Sequence, residues 1–268
     1  MKHSAIKIAL IIVIAAAVAA YLTVTLTLTH RHLDNVVCNS LQVVIRDSAI
    51  NQFVRKSDIP VIFRERGKTY FGKRMCEIST HELEKTLEER SLIKSADVHT
   101  TADGTLHVSI LQRKPIVRIY TENEQNFYID YDGYIVQPYN SYTSNVPIVN
   151  GRITSPFPRN YKGDMFAYFK DKKICDTLYT QIYAFAKFLN EQAFWQAQVE
   201  QIYIPKNGKV ELIPRVGAHI IRLGNFDNFE YKLHKLFTLY EKGIAIRGWN
   251  AYDVIDLSYS NQVICRLK

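Results

Sequence analysis

One stretch constrains this chain before any other. Residues 8–29, IALIIVIAAAVAAYLTVTLTLT, run for 22 positions without a charge. A helix rises about 1.5 Å per residue and a bilayer core is about 30 Å thick, so the run is long enough to span one. Its threonines fit that reading, because a helical Thr hydroxyl can bond a carbonyl one turn back. Lys2, Lys7 and the amino terminus flank one side; His30, Arg31 and His32 flank the other. Short cationic flanks stay in the cytoplasm, which puts residues 1–7 inside and everything from about residue 30 outside. A cleaved signal peptide is the competing reading, with Ala17-Val18-Ala19 as a small-x-small site. Signal cores usually hold about 7–15 apolar residues, and here the run continues through Tyr21 to Leu28, which favours an anchor.

Beyond a connector at residues 30–40, the pattern predicts an α+β protein. Leu41–Ile45 alternates as a strand. Ser57 is a good N-cap for a helix that Gly67 stops, and Ser79 with Glu82 three residues on is a capping box opening a second helix. Two alternating segments, 96–100 and 105–110, flank Asp103-Gly104, a hairpin signal. The order strand, helix, helix, strand, strand lets two helices bury one face of a small sheet over residues 41–113. From Lys114 to Lys268 the chain turns β-rich. Strands are predicted at 116–120, 127–129, 134–136, 200–204, 210–213, 219–223, 254–259 and 262–267. Helices are predicted at 172–197 and at 226–241, the second stopped by Gly243. Residues 137–163, rich in Pro, Asn, Ser and Gly, read as a long surface connection.

Few residues announce chemistry. Cys38, Cys76, Cys175 and Cys265 form no CxxC, which leaves no zinc or dithiol motif of the usual spacing; buried thiols or disulfides of unassigned pairing remain. No phosphate-binding glycine loop and no GxSxG occurs. His81-Glu82 begins like a zincin helix, but Lys85 stands where the second His belongs. His30 and His32 are juxtamembrane. His99 and His107 can meet across their hairpin. Asp130-x-Asp132-Gly133 lacks the closing Glu of a calcium loop and reads as a tight turn. No catalytic residue, metal ligand or cofactor is expected, and the net charge of +8 does not call for nucleic acid.

Two features point to protein contacts instead. Arg55, Lys56, Arg64, Arg66, Lys68, Lys73 and Arg74 form a basic run, followed by five glutamates between Glu77 and Arg90. Such fields suit electrostatic docking of a partner or of anionic lipid. The chain also ends on a strand, and a terminal strand at a sheet edge can be extended by a partner strand.

In this order the parts resemble the FtsQ/DivIB family of bacterial cell-division proteins: a short tail, one membrane helix, a POTRA domain (β-α-α-β-β) and a β domain. Leu111-Gln112-Arg113-Lys114-Pro115-Ile116-Val117-Arg118-Ile119 is similar to the family's domain join. Phe127–Asp130 with Asp132-Gly133 resembles its D-x-x-G hairpin, and Pro147-Ile148-Val149-Asn150-Gly151 its P-x-[IL]-x-G stretch. Ile221–Gly224, Lys232-Leu233 and Ile255–Tyr259 resemble its closing series, with Ser258 in place of an arginine. The resemblance implies a non-enzymatic scaffold in the cell inner membrane, with residues 30–268 in the periplasm. It implies FtsB/FtsL-like partners paired to the last strand, at Tyr259, Ser260, Asn261, Gln262, Val263 and Ile264. Other division proteins would dock on the POTRA domain, at a patch of Arg55, Lys56, Arg64, Arg66, Lys73 and Arg74. Arg113 and Pro115 are expected to be structural. A membrane-tethered periplasmic enzyme or binding protein is the alternative.

Overall fold

The computed structural model describes residues 14–25, 36–48, 52–138 and 143–268. Residues 14–25 are helical, and the Thr23 and Thr25 hydroxyls donate to the carbonyls of Ala20 and Tyr21 at 2.8 and 2.9 Å. The rest of the expected span, 8–13 and 26–29, lies outside the described residues, as do 1–7 and 30–35. Among the described residues no helix is long and apolar enough to cross a membrane. The chain divides into two compact units: Met1–Ser48 with Val54–Leu111, and Ala49–Phe53 with Gln112–Lys268.

The first unit contains β1 (Ser40–Ile45), α1 (Asp58–Glu65), α2 (Thr80–Glu88), β2 (Ile93–Thr100) and β3 (Thr105–Gln112), with sheet order β1-β3-β2. Parallel pairing sets Leu41, Val43 and Ile45 beside Leu106, Val108 and Ile110. The two-residue period of a strand sends that row to one face, where the three β3 residues are fully buried. Against this unit's core α1 buries Ile59, Ile62 and Phe63, and α2 buries Leu83 and Leu87. The Ser79 hydroxyl caps α2 by accepting the Glu82 amide at 3.3 Å. The return half of the capping box is replaced, since the Glu82 carboxylate takes Lys68 at 2.6 Å. Residues 36–39 are more than a connector: the Val36 carbonyl accepts the Met75 amide, and the Asn39 amide donates to Gly104.

The second unit is a ten-stranded mixed sheet. Its elements are β4 (Pro115–Tyr120), β5 (Asn126–Asp130), β6 (Tyr134–Val136), β7 (Ile148–Gly151), β8 (Gly163–Asp164), α3 (Met165–Lys172), α4 (Thr177–Glu191), α5 (Ala193–Gln198), β9 (Val199–Ile204), β10 (Val210–Pro214), β11 (Ile220–Gly224), α6 (Phe229–Leu239), β12 (Tyr252–Asp256) and β13 (Ile264–Leu267). The order is β13-β12-β11-β10-β9-β7-β4-β5-β6-β8. One core joins sheet and helices: Ile182, Phe185 and Leu189 of α4 and Leu233 and Leu236 of α6 pack with Val117, Val149, Ile202, Leu212 and Ile255.

Four expectations are corrected here. The stretch 137–163 is no mere surface connection, because β7 lies inside it, between β4 and β9 and parallel to both. Gly151 ends that strand at φ +118, where a Cβ would stand 2.1 Å from the Ile204 carbonyl oxygen, so no larger residue fits. The helix expected at 172–197 is three helices. Lys173 turns left-handed after α3, the Asp176 carboxylate caps α4 by accepting the Tyr179 amide at 3.0 Å, and Ile174 falls in the gap, partly exposed. Gly243 does not stop α6: it sits in a π-helical turn, Tyr240–Ile244, and the chain leaves the helix at Gly248. The strand expected at 254–259 ends at Asp256, whose carboxylate accepts the Ser258 amide at 2.9 Å and starts a turn.

The π-turn presents Tyr240, whose hydroxyl meets His219 Nε2 at 3.0 Å in a buried pair. Burial pushes the His219 imidazole below its ordinary value. The native ring therefore takes up its proton at lower pH than the unfolded ring, which protonates below about pH 6.5. The stability tied to this ring is therefore full above that pH and is lost as pH falls beneath it. Unfolding followed by fluorescence between pH 7 and 5 should show this loss, and His219→Gln should flatten the slope over that window. An unchanged slope would refute it.

Candidate protein-interaction site

Among the described residues β13 is the last strand of the sheet and pairs on one side only, antiparallel to β12 with Ile255 beside Cys265 and Asp256 beside Ile264. The direction of its free groups follows from two bonds. The Leu257 amide donates to Arg222 of β11, so odd residues of β12 face β11, and Val254 and Asp256 face β13. At the chain end the Lys268 amide donates inward to Ala251. The strand period then turns Ile264 and Arg266 inward and leaves the backbone N–H and C=O of Cys265 and Leu267 on the open edge. The side chains of Ile264 and Leu267 are exposed beside that edge (44% and 58%), while Val263 and Cys265 pack on the core.

The edge is held from two directions. Arg266 pairs with Asp253 of β12, with Nε 2.9 and 3.0 Å from the two carboxylate oxygens, and this partner holds the Asp253 carboxyl below its usual range. Behind it, α6 is the crossover helix between parallel β11 and β12. Its Lys235 ammonium donates to the carbonyls of Tyr259 at 2.5 Å, Ser260 at 3.2 Å and Gln262 at 3.4 Å. An ammonium carries three donors, so one side chain fixes the turn that leads into β13. One turn earlier, buried Lys232 ties to Asn225 through the carbonyl at 2.9 Å and the side-chain oxygen at 2.6 Å.

Of the six expected contact residues, Tyr259, Ser260, Asn261, Gln262 and Val263 form this turn, and only Ile264 lies in the strand. The strand itself is Ile264–Leu267, shorter than expected because the Asp256 turn and the Lys235 clamp use the preceding residues. Cys265, Arg266 and Leu267 fall within the strand expected at 262–267, and Lys235 is the residue that sequence reasoning did not single out. For Lys235 a signal existed, a cation on a crossover helix one turn after Lys232, but its target is three carbonyls far along the chain.

The first unit presents a different surface. Arg55, Lys56, Arg64, Arg66, Lys73 and Arg74 are all exposed. The acidic run is largely spent on them and their neighbours, through Arg66–Glu89 at 3.0 Å, Arg74–Glu77 and Lys68–Glu82, while Arg90 at its end reaches back to Glu65. Glu84 and Glu88 accept the amides of Val98 and Ala96, covering outward donors of the edge strand β2. Basic and acidic runs thus knit into one another rather than standing as separate fields. His99 and His107 do stack across their hairpin, 5.0 Å apart, but among the described residues no three His, Cys, Asp or Glu converge to hold a metal. Of the four thiols Cys38 is buried, Cys265 is half-buried, and Cys76 and Cys175 are exposed.

At the start of the second unit Arg113 and Asp130 make a buried join. Arg113 Nη1 lies 3.0 Å from the Asp130 carboxylate, and its guanidinium stacks 3.5 Å over the Tyr134 ring. The other Asp130 oxygen accepts the amides of Asp132 at 3.0 Å and Tyr134 at 2.7 Å. Burial pushes the carboxyl up, while Arg113 and the Tyr134 amide pull it back. Gly133 completes the turn at φ +83, where a Cβ would strike Phe166 at 2.6 Å.

Comparison with known families agrees with this arrangement. Residues 36–111 match the POTRA-like domain, and residues 114–266 match the family described as FtsQ/DivIB, C-terminal related. No curated protein matches the chain. The second match covers more than half of the sequence, and both domain types are scaffolds rather than catalysts. The chain belongs to the FtsQ/DivIB family, and its role is that of a cell-division scaffold.

Proposed function

We propose that this protein is a single-pass scaffold of the bacterial divisome, anchored in the cell inner membrane by residues 8–29, with residues 30–268 in the periplasm. It recruits FtsB/FtsL-like membrane proteins by letting a partner strand extend the sheet at β13, and it links them to other division proteins through its POTRA-like unit. The observation that carries this reading is the open edge of β13, with the backbone groups of Cys265 and Leu267 unpaired by β12 and the preceding turn clamped by Lys235. Backbone pairing supplies affinity there, and the exposed Ile264 and Leu267 side chains supply selectivity. Among the described residues the exposed Arg55, Lys56 and Arg64 make no salt bridge to a glutamate, and they are the part of the POTRA surface best suited to an acidic partner.

The test is a pull-down of FtsB/FtsL-like proteins by the detergent-solubilised chain, with and without Ile264–Lys268. Tryptophan fluorescence shows whether the second unit stays folded, because Trp195 and Trp249, the only two in the chain, both lie there. Capture is expected to vanish with the segment while the fluorescence spectrum persists. Equal capture by both chains would overturn the reading.

A further inference from the structure

A second contact site lies four strands from the β13 edge. A cleft of about 300 Å³ opens where parallel β7 and β9 begin and β10 ends. Ile148 and Val199 form its apolar floor, and Arg118, Asn145, Gln196, Glu200 and Arg215 bring polar groups to it. Arg118 is pinned in place. Its Nε donates to Asn126 at 3.0 Å, and its guanidinium lies over the rings of Tyr120 and Tyr128, 4.8 and 5.1 Å from their centroids. Among the described residues the Arg215 side chain reaches only the Asn145 side-chain oxygen, at 3.4 Å. Among the described residues neither guanidinium has a carboxylate within 4.0 Å, whereas Arg113, Arg152, Arg222 and Arg266 of the same unit each have one.

A guanidinium fixed by stacking keeps its outer N–H pair in a planar fork that suits a carboxylate. Stacked Arg118 and exposed Arg215 beside one glutamate give the cleft a net charge of +1. That balance matches a single carboxylate and disfavours a phosphate dianion, which Glu200 repels. Asn145 and Gln196 offer amide groups that can donate to and accept from a peptide backbone. We propose that this cleft binds an Asp or Glu side chain within an extended acidic segment of a partner protein, a contact separate from strand pairing at β13.

The experiment measures equilibrium binding of a labelled Gly-Ser-Glu-Gly-Ser peptide, and of its Gln counterpart, to the full chain at low salt. The Glu peptide is expected to bind at least tenfold more tightly. Arg118→Gln with Arg215→Gln should erase that preference. Arg215→Gln alone, at an exposed side chain that cannot unfold the sheet, should reduce it at least threefold. Glu200→Gln should tighten Glu-peptide binding and allow inorganic phosphate to compete. Equal binding of the two peptides, a preference that survives the double variant, or phosphate competing against the unaltered chain would each overturn the proposal.

Discussion

Asp130→Ala should lower the stability of the second unit by about 3–5 kcal/mol, the usual cost of removing one partner from a buried ion pair. The carboxylate does two things that alanine cannot. One oxygen holds Arg113, which is nearly buried, and the other gathers the Asp132 and Tyr134 amides into the turn between β5 and β6. Without it, a guanidinium and two amides lose acceptors in a site with little access to water. Asp130→Asn separates the two contributions: it keeps an acceptor for the turn amides but removes the carboxylate charge opposite Arg113, so its cost should fall between those of wild type and Ala. Denaturant unfolding followed by tryptophan fluorescence reads this unit alone. A loss under 1 kcal/mol for Asp130→Ala would show that the pair does not hold the join.

How far the fold could be read from the sequence depended on whether its causes were local. The first unit was readable where an element carries its own signal, as with strand alternation in 41–45, a Ser79 cap and an Asp103-Gly104 turn, whereas Ser57 makes no side-chain cap to α1. The second unit was readable where hairpins join neighbouring strands, as at Asp132-Gly133. It was misread where tertiary pairing decides. β7 has four residues, of which Ile148 and Val149 are the only large apolar ones, and it is a strand because β4 and β9 lie on either side of it. The break between α3 and α4 was hidden because the apolar spacing of Ile174 and Leu178 continues through it, and only the Asp176 cap reveals where α4 begins. Gly243 misled because glycine often ends a helix, yet here the helix widens into a π-turn that carries Tyr240 to His219.

The site shows the same division. That the chain ends in a strand was legible; that this strand lies at the edge was not, since strand order is a property of the whole sheet. Charge runs misled in the opposite way. Glu77–Glu89 looks like a free acidic field in sequence, but helix geometry carries those carboxylates to Arg66, Lys68, Arg74 and the β2 amides, so most of the field is consumed inside the unit.

Leu267→Pro should abolish capture of the strand-pairing partner, at least a hundredfold in affinity, while leaving the fold intact. Proline lacks an N–H and is tolerated on edge strands where that group faces solvent. The Leu267 N–H faces the open edge, so its loss costs the free protein no sheet bond but removes a donor from the incoming strand, and the ring blocks close approach there. Arg266→Pro is the matching control, because its N–H points toward Val254 of β12; it should loosen β13 and lower stability as well as binding. Leu267→Ala removes the exposed side chain and keeps the N–H, so it should weaken binding about tenfold or less. Partner titration beside fluorescence melts distinguishes the cases. Should Leu267→Pro bind like wild type, the partner does not extend this edge, and the contact lies instead on side chains of the Lys235-clamped turn, where Lys235→Met would then carry the larger effect.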